Sequence, residues 1–183
     1  MRKWEFFVKN NNESKLPASK LAHKLSHLDS DGDIHMVDVS GKTASTREAY
    51  AQGQVSFPSE IYQQIKDADG MTKKGSITQT AHIAGIMAAK RTHDLIPLCH
   101  PLPLDKIGLS FDYDDDLNAI IINATVKVTH KTGVEMEALT AVSIACLTIY
   151  DMTKAISHDI TIDNIRLITK TGGKSDYQHN KSV

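Results

Sequence analysis

The chain has little cysteine: Cys99 and Cys146 stand far apart in 183 residues, with no Cys-x-x-Cys pair. That scarcity argues against a disulfide framework or a four-thiolate zinc site and fits a reducing compartment. Long apolar runs are missing too. None approaches the roughly 18 residues needed to cross a bilayer, so a soluble protein with no membrane partner is expected. Charge of one sign is not in excess either, since 21 basic against 22 acidic residues leave a net charge of −1. With no basic run interleaved with aromatics, a nucleic-acid surface is not expected. What remains is a chain of one-domain length with an ordinary apolar share.

The first 24 residues, MRKWEFFVKNNNESKLPASKLAHK, lack the apolar centre of a secretory signal and carry Glu5 and Glu13, which a transit peptide tends to avoid. They read as a loosely ordered extension ahead of a single domain over residues 25–177, followed by a flexible tail at 178–183. A cytoplasmic location is expected, and a mitochondrial matrix is also compatible. No internal repeat is visible.

Periodicity then gives the elements. His35–Ser40 reads as a short strand and residues 59–67 as a brief helix. Ser76 is a plausible N-cap for ITQTAHIAGIMAAKRTH, in which Ile77, Ala81, Ala84 and Ala88 recur at helical spacing and form a small face suited to close packing. Prolines 97, 101 and 103 in DLIPLCHPLPL forbid regular helix around Cys99 and His100. Ile107, Leu109, Phe111 and Tyr113 alternate, DDDLN turns, and Ile120, Ile122, Ala124, Val126 and Val128 alternate again, the pattern of a β-hairpin. A helix from about Met136 to Ile156 and a strand at NIRLITK follow. Together these predict an α+β fold, an antiparallel sheet with helices packed on one face.

The chemistry-bearing residues concentrate on that last helix. Leu139, Val142, Cys146, Ile149, Tyr150 and Ile156 form one apolar stripe and Ala138, Ala141 and Ala145 another, so the helix is expected to be buried on most sides. Asp151 and Lys154 then share a side with Ile144 and Leu147, as an ion pair at a helix end or as an active-site pair able to exchange protons. Glu135 and Glu137 suit the helix start as capping groups or as ligand contacts. At about 1.5 Å per residue, Glu137 and Asp151 lie roughly 21 Å apart along the axis. They cannot touch one small ligand, so a shared role requires a second chain across a two-fold axis. Lys74 before a helix N-terminus fits a phosphate contact or a solvated lysine. Lys170 and Lys174 around two glycines fit an anion loop or a plain terminal loop, and Arg47 and Lys131 add cations. His100 beside Cys99 makes a poor metal site; a hydrogen-bonding or proton-transferring role is favoured. Asp114, Asp115 and Asp116 read as a turn.

MVDVSGK at 36–42, KKG at 73–75, the AGIMAAKRT run, LIPLCHPLPL, KTGVEMEALTA and LTIYDMTKA together resemble the cyclic pyranopterin monophosphate synthase family, the molybdenum cofactor biosynthesis protein C family. The resemblance spans about residues 25–177. It implies a ferredoxin-like fold in a hexamer of dimers and a lyase acting on a small molecule. The substrate it implies is (8S)-3′,8-cyclo-7,8-dihydroguanosine 5′-triphosphate, made by a functionally linked radical enzyme, and the products are cyclic pyranopterin monophosphate and pyrophosphate. By motif it assigns Asp151 as catalytic and Lys154 as its acid/base partner. It assigns Leu98, Cys99, His100, Met136 and Glu137 as substrate contacts, and Glu135, Lys74, Arg47, Lys131 and Lys170 as active-site charges. It implies no cofactor and no metal ligand set. The chain departs from the pattern in its longer N-terminal extension and in GGKSDY, where Lys174 loses its expected context. Two readings of other classes stand beside it: a non-catalytic ligand-binding module, which needs the anion pocket but not Asp151, and a metal-dependent hydrolase using His100 and the aspartates.

Overall fold

The computed structural model describes residue 27 and residues 33–180. The extension expected over residues 1–24, the domain start at residue 25 and residues 181–183 of the expected tail lie outside the described residues. Two units are distinguished, Met1–Val37 and Asp38–Val183. Within the described part of the first, Ile34 makes an isolated bridge and the His35 N–H donates to the His27 carbonyl at 3.0 Å. The strand expected over His35–Ser40 does not form. Its second half turns instead, because the Asp38 carboxylate accepts from the Ser40 N–H at 2.8 Å and the Val39 carbonyl accepts from the Lys42 N–H at 3.1 Å. A short acidic side chain that bonds two residues ahead offers the backbone a turn in place of a ladder.

The second unit runs β1 (Ser45–Ser56), α1 (Ser59–Asp67), β2 (Met71–Thr72), β3 (Gly75–Ser76), α2 (Ile77–Lys90), α3 (Thr92–Leu95), β4 (Lys106–Asp114), β5 (Ala119–His130), α4 (Glu135–Thr153), β6 (Thr161–Thr171) and β7 (Tyr177–Gln178). Five strands form one antiparallel sheet in the order β4-β5-β1-β6-β7, while β2 and β3 make a separate ribbon. The expected hairpin is β4–β5, with Ile107 opposite Val126. Two connections cross over a strand: β1 reaches β4 through α2 past β5, and β5 reaches β6 through α4 past β1. Two interleaved crossovers of this kind make the ferredoxin-like arrangement, so the α+β fold agrees with the expectation.

Period-2 alternation buries Ala49, Ala51 and Val55 of β1 and Ile120, Ile122, Ala124, Val126 and Val128 of β5 on one sheet face. Helix α4 covers that face with Ala138, Ala141, Val142, Ala145, Cys146 and Ile149, all 0% exposed. Each large aliphatic among them contributes about 1.5–3 kcal/mol on burial. Helix α2 starts at Ser76, whose side chain accepts from the Gln79 N–H, and buries Ile77, Ala81, Gly85 and Ala88. The face is small for a reason. A Cβ at Gly85 would lie 3.0 Å from the Ala141 carbonyl oxygen, so α2 and α4 approach backbone to backbone and α4 is held firmly along its length.

One expectation for α4 fails at its C-terminal end. The helix stops at Thr153 with Lys154 as the cap, and the Ile156 N–H bonds the Thr153 carbonyl at 2.8 Å, so Ile156 lies in a turn and is 44% exposed. Leu147 is 55% exposed as well. The side expected to be closed around Asp151 therefore faces solvent in the single chain.

Candidate active site

Two groups of sequence-predicted residues form, one at each end of α4. At the C-terminal end, Asp151 and Lys154 project from neighbouring turns, and the β2–β3 ribbon brings in Lys74, 77 positions upstream. The Lys154 ammonium lies 2.8 Å from Asp151 Oδ1 and the Lys74 ammonium 2.9 Å from Oδ2. Lys74 also donates to the Asp151 carbonyl oxygen at 2.9 Å. One carboxylate is thus gripped on both oxygens by two cations. The hydrogen bond from Lys154, then that from Lys74, with their charges, hold the Asp151 carboxyl down to about 2. The reverse effect raises Lys154. All three side chains remain about half exposed, so a ligand or a second protein surface can reach them.

The N-terminal end is more enclosed. Glu137 is 4% exposed, in the first turn of α4. Burial pushes its carboxyl up to about 7, the neighbouring Glu135 charge adds to this, and a bond to its own backbone N–H opposes it. Near neutral pH such an acid can donate or accept a proton. The N-cap residue, Val134, has no side-chain oxygen to cap the helix, and two carboxylates, Glu135 and Glu137, occupy the first turn. Glu135 pairs with Lys170 of β6 at 3.0 Å. Cys99, half-buried in the proline-rich segment, is raised first by burial and then by the Glu137 charge, which places LCH beside this end of the helix. Leu98 and His100 flank it, both half-buried, while Met136 is 37% exposed. The segment is anchored where Leu102 and Leu104 pack on the core and where Asp105 accepts from the Thr129 N–H at 2.7 Å.

Sheet register explains why cations gather at this end. Ser45 is paired with His130, Arg47 with Val128 and Ala49 with Lys170, so Arg47, His130 and Lys170 continue the core-facing rows of β1, β5 and β6 past their last apolar members. Arg47 Nε donates to the His130 carbonyl at 2.9 Å. His130 is a site neighbour that motif reading missed, although extending the alternation of β5 two residues beyond Val128 finds it. The Lys131 ammonium donates to the Ser40 carbonyl at 2.6 Å. Within one chain the structure does not bring the two groups together, since α4 lies between them. Among the described residues, no three or more His, Cys, Asp or Glu side chains form a group that could hold a metal ion. No described helix is long and apolar enough to cross a membrane.

The chain is 52% identical to the cyclic pyranopterin monophosphate synthase of Parvibaculum lavamentivorans over 158 residues, 86% of this chain and 98% of that protein. It is 52% identical to the protein of the same name from Cereibacter sphaeroides over 151 residues, 82% of this chain and 94% of the other. With that of Xanthomonas oryzae pv. oryzae it shares 48% over 161 residues, 88% of this chain and 97% of the relative. Residues 36–173, from just before the Asp38 turn to the glycines after β6, match the family described as the MoaC family. With so much of its length matched by that family and by full-length relatives, this chain belongs to the MoaC family.

Proposed function

We propose that the chain is a cyclic pyranopterin monophosphate synthase, a lyase of molybdenum cofactor biosynthesis. It takes the cyclised GTP intermediate, (8S)-3′,8-cyclo-7,8-dihydroguanosine 5′-triphosphate, to cyclic pyranopterin monophosphate and pyrophosphate. The observation that carries this reading is the meeting of Lys74 with Asp151 and Lys154 across 77 positions of chain. Closing a cyclic phosphate requires a substrate oxygen to attack the α-phosphorus while the bond to the β-phosphate breaks. Negative charge then grows on the departing pyrophosphate, and ammonium and guanidinium groups are suited to that charge. Asp151 is the catalytic group and Lys154 its partner in proton transfer. Lys74, Arg47, Lys131, Lys170 and Glu135 set the charge of the site, and Leu98, Cys99, His100, Met136 and Glu137 hold the substrate.

The active unit is a homo-oligomer in which the Asp151 group of one chain completes the Glu137 group of another. Supporting this are the length of α4, which separates the groups by about 21 Å, and apolar side chains left open on the helices: Ile83 and Met87 on α2 and Leu147 on α4. A hexamer of dimers satisfies the pairing. The catalytic domain comprises residues 25–177, acts in the cytoplasm and receives its substrate from a radical enzyme. The test is pyrophosphate release from the cyclised GTP intermediate. Asp151→Ala should bind substrate yet turn over about 10²–10⁴-fold more slowly, the range of positioned acid/base groups. Wild-type turnover in that variant would sink the assignment.

A further inference from the structure

The Lys74 ammonium reaches Asp151 from a very small platform. Its ribbon has two residues in each strand, pairing Met71 with Ser76 and Thr72 with Gly75. Packing does little to hold it: Met71 is 52% exposed, and the root of the ribbon, at Asp69 and Gly70, borders a cavity of about 310 Å³ also lined by Lys66, Thr78 and Tyr113. Its aim must therefore come from local hydrogen bonds. The Thr72 hydroxyl supplies two of them, donating to the Gly75 carbonyl at 3.1 Å and accepting from the backbone N–H of Lys74 at 3.1 Å. Gly75 closes the turn with φ at 106°, a conformation that suits glycine. Lys73 and Lys74 both keep negative φ, so this is not the self-stabilising two-residue turn in which both central residues are left-handed.

We infer that Thr72 is a positioning residue for the reaction, its hydroxyl clamping the ribbon so that the Lys74 ammonium meets the Asp151 carboxylate. This rests on the reading of Lys74 and Asp151 as active-site groups. The same backbone with a valine at position 72 keeps the shape and β-propensity of threonine but loses both bonds. The ribbon then samples orientations in which Lys74 misses its partner.

The test compares Thr72→Val, Thr72→Ser, Lys74→Ala and the Thr72→Val/Lys74→Ala double variant by single-turnover pyrophosphate release, substrate affinity and thermal unfolding. Thr72→Val should lower the rate about 10-fold, the worth of two modest hydrogen bonds, with affinity and unfolding midpoint nearly unchanged. Thr72→Ser, which keeps the hydroxyl, should recover the wild-type rate. In the Lys74→Ala background the valine should cost nothing further, because a residue acting only through Lys74 has nothing left to position. Equal losses in both backgrounds, no loss from Thr72→Val, or no rescue by serine would overturn the inference while leaving the active-site reading intact. A wild-type rate for Lys74→Ala would overturn that reading, and the inference with it.

Discussion

Glu137 and Asp151 are carboxylates on one helix, 14 residues apart, and their surroundings push them in opposite directions. Glu137 is buried beneath the first turn with another acid nearby and is raised to about 7. Asp151 stands in solvent between two lysines and is lowered to about 2. At neutral pH one end of α4 therefore holds an acid close to half-titration, and the other a fixed negative charge inside a cationic clamp. Burial decides the first case and paired charge the second. A helix that presents a titrating acid at one end and a clamped anion at the other suits chemistry needing both a proton exchanger and a charge organiser, provided two chains bring opposite ends together.

The largest expected effect tests that proviso. Asp151→Ala and Glu137→Ala homo-oligomers should each be nearly inactive, and chains of the two variants mixed by unfolding and refolding should recover about a quarter of wild-type activity. Random pairing across a two-fold axis leaves one intact site in each mixed dimer and none in the others. No recovery would show that each chain builds its own site. Next, Lys170→Ala should raise KM about 10- to 100-fold while leaving kcat within a small factor, as its proposed role as a cation for the phosphates, outside the proton-transfer pair, requires. A fall in kcat alone would move Lys170 to the Asp151 side of the comparison.

A smaller effect concerns stability and pH. Because Glu137 is raised in the folded chain, the unfolded chain releases this proton first, near 4.5, and stability falls as pH rises from there to about 7, then levels. Glu137→Gln should remove that slope and gain on the order of 2 kcal/mol at pH 8, read from urea unfolding at pH 4.5 and pH 8. Asp151 has the opposite sign: its depressed carboxyl favours the fold above the ordinary aspartate range, and that contribution fades only as pH falls toward 2. Since its ion pairs are solvent-screened, Asp151→Asn should leave the unfolding midpoint at pH 7 unchanged within error. This is the smallest effect, and a clear drop in midpoint would mean the clamp braces the fold as well as organising charge.

Much of this was legible before any coordinates. Alternation located the β4–β5 hairpin because one face of each strand is dry, and Ser76 marked the start of α2 because its hydroxyl meets a free backbone N–H. The failures were local competitions. Asp38 turned an expected strand by bonding Ser40, and the helix ended before Ile156 because the backbone turns after Thr153. The Asp151 group was legible only in part. Asp151 and Lys154 are near neighbours in sequence, but nothing in the spacing of Lys74 says that a two-residue ribbon delivers it to the end of a distant helix.

The sequence by itself determined the α+β layering, the fold family through its ordered motifs, and the separation of Glu137 from Asp151, because periodicity and helical rise are properties of the chain alone. Only the tertiary structure decided which cations meet which carboxylates. Register carried Arg47, His130 and Lys170 to one end of the core, and the ribbon carried Lys74 to the other. It also set which carboxyl is raised and which lowered, since ionisation depends on water and neighbouring charge, and both are fixed by long-range packing that no local pattern encodes.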